Sequence, residues 1–70
     1  MKKINIKDYN YNMGELIDLS DISYQKLMLY YDKYLDKNKK YFITCSKGIH
    51  SFRACSILEY LGYDVTQVLK

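Results

Sequence analysis

Cys45 is followed by Ser46, Lys47, Gly48, Ile49, His50 and Ser51, so a nucleophile, two basic side chains, a glycine and a hydroxyl fall in one short run. Cysteine reacts as its thiolate, and Lys47, with His50 when protonated, would lower the pKa of the thiol. Gly48 suits a loop that turns its N–H groups inward, because it takes positive φ freely. Ser51 is a good N-cap, and after it Ala54, Ile57, Leu58 and Leu61 recur at helical spacing until Gly62 supplies a stop. The cysteine is thus expected to face a helix N-terminus, where unpaired amides and the positive end of the helix dipole favour an anion, a thiolate included.

The elements that would hold this loop can be read from hydrophobic pattern. Tyr41 to Thr44 is aromatic and β-branched without polar alternation, as in a strand covered on both faces, and it ends at Cys45. Lys3 to Lys7 alternates around Ile4 and Ile6 and predicts a short half-buried edge strand. Asp8 to Gly14 is rich in turn formers and reads as a loop, and Glu15 to Leu19 as a second strand. Ser20, Asp21 and Ser23 are alternative N-caps for an amphipathic helix with Tyr24, Leu27, Met28, Tyr31 and Leu35 on one face, a stripe that core packing explains better than a ligand groove. Asp36 to Lys40 is a polar turn, and Val65 to Leu69 reads as a last strand. The order β, β, α, β, α, β predicts one α/β domain over residues 1–70, its last three strands parallel.

With Cys45, Gly48, His50 and Ser51 in place, followed by Ala54, Leu58 and Gly62-Tyr63, the chain resembles the rhodanese family, whose loop runs from a cysteine to a serine at a helix start. Leu16-Ile17-Asp18 is similar to the family's second strand. The edge-strand segment and the final helix usual in the family have no counterpart, so the resemblance implies a minimal, mainly parallel four-stranded sheet. Its order would be Glu15 strand, Tyr41 strand, Val65 strand, Lys3 strand. Two right-handed crossovers running the same way put both helices on one face. The other face would then show apolar residues, implying a homodimer packed through that face; its alternatives are a lid formed by the Tyr9, Tyr11 and Met13 loop, or the Tyr24 to Leu35 helix crossing to the uncovered side.

The resemblance further implies a sulfurtransferase in which Cys45 carries sulfane sulfur, held by the loop Ser46 to Ser51, with a small sulfur compound or a persulfide donor protein as partner and no cofactor. Two other readings stand beside it. One is a non-catalytic interaction module of the same fold; the other is a cysteine-dependent phosphatase or arsenate reductase, for which the arginine expected six positions after the cysteine is replaced by Ser51 and Arg53 is out of register. Cys55, inside the helix, is expected to pack rather than react, and a Cys45–Cys55 disulfide is not expected.

Seventy residues bound a thin core. No stretch is long enough for a membrane span, no signal peptide is recognised, and two cysteines with one histidine suit neither a disulfide scaffold nor a zinc site, so a soluble cytoplasmic protein is expected. A net charge of +3, with lysines interrupted by Asp32 and Asp36, reads as solvated surface rather than as a nucleic-acid patch.

Overall fold

An unbroken apolar strand must lie inside a sheet, and Tyr41, Phe42, Ile43 and Thr44 are all buried. The computed structural model describes residues 1–70 and contains β1 (Lys2–Asn5), a short 3-10 turn (Ile6–Asp8), β2 (Glu15–Asp18), α1 (Tyr24–Tyr34), β3 (Lys40–Thr44), α2 (Ile49–Tyr60) and β4 (Asp64–Leu69). The sheet order is β1-β4-β3-β2, as expected. All four strands are parallel, including β1, which pairs Lys2 with Thr66 and Asn5 with Leu69. No helix is long and apolar enough to cross a membrane.

Both helices pack on one face of the sheet. Side chains alternate along a strand, so Ile17, Tyr41, Ile43 and Val65 form one layer with Leu27 and Leu35 from the α1 region and with Ala54, Cys55 and Leu58 from α2. Tyr24, Met28 and Tyr31 complete the α1 stripe against this core. Of the three candidate caps, Ser23 is used: its hydroxyl accepts from the Lys26 N–H at 3.1 Å. At the far end of α2, the Gly62 N–H returns to Glu59 O and the Tyr63 N–H to Leu58 O, the paired bonds that close a helix and aim the chain into β4.

The opposite face was expected to be left bare by the helices and covered by a second copy of the chain or, as one alternative, by the Tyr9, Tyr11 and Met13 loop; Phe42, Thr66 and Val68 are buried within the single chain. The reason lies in the connection from β1 to β2, which must travel from one sheet edge to the other. In doing so it lays Tyr9 against Phe42, ring centroids 5.1 Å apart, and the Tyr9 hydroxyl donates to Gly14 O at 2.7 Å. Gly14 presses on the sheet so closely that a Cβ there would stand 2.6 Å from Lys40 O and 2.8 Å from the Phe42 ring. The segment is a lid over the middle of that face, the alternative cover expected of this loop, while Leu16, paired with Phe42 on the same face, stays exposed.

Candidate functional site

The carboxyl ends of β2 and β3 meet the start of α2, the usual place for a ligand in a parallel sheet. Pairing continues past β2 through a Leu19 N–H bond to Thr44 O at 2.9 Å. The Asp18 carboxylate then fixes the turn, accepting from the Ser20 N–H at 2.9 Å and the Ser20 hydroxyl at 2.8 Å, with Lys70 Nζ 3.5 Å away. A cavity of about 300 Å³ results, lined by Leu19 and Ser20 on one side and by Cys45, Ser46, Lys47, Ile49 and His50 on the other.

Cys45 is buried but for this opening, and its sulfur is held from behind. Sγ accepts from the Gly48 N–H at 3.1 Å and from the Ser51 N–H at 3.3 Å, and it lies 3.3 Å from Ser51 Oγ. In the thiol the S–H donates to that hydroxyl, whose own proton goes to Gly48 O at 3.3 Å. Once the sulfur is ionised, the Ser51 hydroxyl can turn and donate to it instead. Burial alone would push the Cys45 thiol up; the Ser51 hydroxyl and the N–H groups of Ser51, Gly48 and Lys47 outweigh it and hold the thiol below its ordinary value. The lowering thus comes from hydrogen bonds. Lys47 contributes its backbone N–H rather than the charge of its side chain.

The helix start differs from the expected one. Ser51 is not the N-cap: α2 begins at Ile49, and Gly48, in the left-handed region at φ 80°, occupies the cap position without a side chain to offer. Ser51 is therefore the third helical residue, whose N–H a capping side chain normally takes. Here the Cys45 sulfur takes it, so a residue from the preceding strand end caps the helix across the loop.

Every residue expected in the loop is brought to this place, in distinct roles. Gly48 and Ser51 bind the sulfur, and Ser46, Lys47, Ile49 and His50 line the opening. The His50 ring stacks on Tyr24 at 5.0 Å and 16°, tying the start of α1 to the start of α2. Arg53 lines two neighbouring clefts and not the Cys45 cavity, which leaves an oxyanion in that cavity without a guanidinium clamp.

One contributor was not anticipated. Gln67, buried in β4, donates from Nε2 to Gly48 O at 3.0 Å and to Ser51 Oγ at 3.1 Å, while its Oε1 has no partner. It fixes the loop from below and leaves the Ser51 hydroxyl one proton to give. Its sequence signal was a single amide inside the otherwise non-amide run Val65 to Leu69.

Cys55 is free, as Cys45 is, and fully buried. Burial, then Glu59 and Cys45, push its thiol up to about 12. The fold accepts it protonated, so its contribution to stability is intact below the ordinary value of 9.0 and is lost as pH rises through about 12. Cys45 runs the other way: its contribution is present above 9.0 and lost as pH falls through its lowered value. Urea unfolding of wild type and Cys55→Ala should therefore diverge in alkali, wild type losing about 1.4 kcal/mol more per pH unit. Parallel curves would show that Cys55 ionises as easily in the fold as outside it.

Comparison with protein families, with curated proteins and with solved structures returns no match.

Proposed function

We propose that the chain is a small sulfurtransferase of rhodanese type in which Cys45 carries sulfane sulfur as a persulfide. The observation that carries this reading is the Cys45 sulfur at the base of an open cavity, receiving two backbone N–H bonds and lying beside a hydroxyl that can supply a third. Such a thiolate is nucleophilic at a pH where an ordinary thiol is mostly protonated. With thiosulfate, it attacks the outer sulfur; the new Cys45 S–S bond forms, the S–S bond of thiosulfate breaks, and sulfite leaves with the electron pair. The loop N–H groups then stand ready to stabilise negative charge on the persulfide. The absence of Arg53 from the cavity argues against phosphate or arsenate chemistry.

Intact-protein mass spectrometry after thiosulfate treatment tests the reading. Reduced protein should gain one sulfur atom, Cys55→Ser should gain it equally, and Cys45→Ser should gain none. A wild-type protein that takes up no sulfur would favour a non-catalytic interaction module of the same fold.

A further inference from the structure

Beside the Cys45 cavity lies a second cleft, of about 410 Å³, whose walls are Lys3, Lys47, Ile49, Phe52, Arg53 and Leu69 above a floor of Gly48 and Gln67. Lys47 and Ile49 also line the Cys45 cavity, so the two openings share a wall. Three large apolar side chains are open to solvent here: Ile49 is 58%, Phe52 47% and Leu69 41% exposed. The cations around them are uncommitted. Lys3, Lys47 and Arg53 take part in none of the molecule's ion pairs, no acidic residue lines the cleft, and Lys3 rests over the Phe52 ring at 5.4 Å.

Apolar surface ringed by charge of one sign has a complement of definite chemistry: apolar side chains flanked by carboxylates. We propose that this cleft docks an acidic protein segment bearing apolar side chains, whose cysteine reaches Cys45 across Ile49 and takes its sulfur. The proposal rests on the sulfurtransferase reading for the chemistry and on the cleft for the partner. The transfer step balances without an added oxidant or reductant. The partner thiolate attacks the outer sulfur of the Cys45 persulfide, a partner S–S bond forms, the Cys45 S–S bond breaks, and Cys45 leaves as the thiolate that its hydrogen bonds stabilise. A protein segment fits better than a nucleic acid because exposed aliphatic side chains, Ile49 and Leu69, make up part of a lining that holds only three cations, where a phosphate backbone would need more.

The test uses fluorescein-labelled peptides ending in cysteine: one of alternating glutamate and leucine, one of glutamate and serine, one of lysine and leucine. Binding is followed by anisotropy and sulfur transfer by mass spectrometry on persulfide-loaded protein. The glutamate–leucine peptide should bind and accept sulfur about tenfold better than either control, with the advantage shrinking in salt. Phe52→Ala and the double variant Lys3→Glu, Arg53→Glu should erase that advantage while retaining sulfur uptake from thiosulfate, which also shows that they are folded. Equal binding of all three peptides, or tighter binding of an oligouridylate at the same salt, would overturn the docking proposal while leaving sulfur uptake untouched. Failure of wild type to form a persulfide would overturn the sulfurtransferase reading instead, and the binding measurements would still decide the cleft.

Discussion

On the proposed sulfurtransferase reading, Ser51→Ala is expected to slow sulfur uptake at neutral pH by about 10- to 100-fold, because a hydrogen bond to a charged acceptor is worth about 1.5–3 kcal/mol and the alanine removes the hydroxyl that turns to the ionised sulfur. The backbone N–H groups of Gly48 and Ser51 remain, so the chemistry is weakened rather than abolished. The loss should be largest below the thiol's own ionisation and should fade in alkali, where either protein is a thiolate. Uptake measured across pH, together with the ultraviolet absorbance of the thiolate, reads this directly. If the inflection of the profile stays where wild type has it, the Ser51 hydroxyl is not what lowers the Cys45 thiol.

The second large effect belongs to the lid. Gly14→Ala places a methyl 2.6 Å from Lys40 O, a backbone atom that cannot move without disturbing the β3 ladder. Overpacking of this kind costs about 1–3 kcal/mol, against the roughly 3–5 kcal/mol that a core in a chain this short can supply. The cheapest relief is for the segment carrying Tyr9 to lift off Phe42, which bares an apolar sheet face. The variant is therefore expected to unfold at markedly lower urea and to self-associate at micromolar concentration by sedimentation. A variant with wild-type stability and the same sedimentation behaviour would mean that the contact at Gly14 does not hold the lid.

How the sequence and the structure compare depends on whether a signal is local. The strand at Tyr41, the stripe from Tyr24 to Leu35 and the stop at Gly62 are written in short-range periodicity and backbone preference, and each forms where it was read. The loop from Cys45 to Ser51 is also local, and all its members meet at the cavity. The start of α2 was misread because serine is a good cap by statistics, whereas the group that caps Ser51 comes from the previous strand and no propensity encodes it. Gln67 was overlooked for the same reason: its partners, at the cap and first turn of α2, lie 16 to 19 residues earlier. The lid was legible only as one alternative among three, because Asp8 to Gly14 has no periodicity; the route from one sheet edge to the other is what carries it across Phe42.

The wholly parallel sheet has a kinetic consequence. No two neighbouring strands are joined by a hairpin, so no part of the sheet can be assembled by closing a tight turn, and β1 finds its partner only in β4, at the other end of the sequence. On a growing chain β1 waits unpaired until every other element has been made. Large sequence separation between contacting residues slows folding, so this domain should fold slowly for its size, with the β1 edge zipping on last.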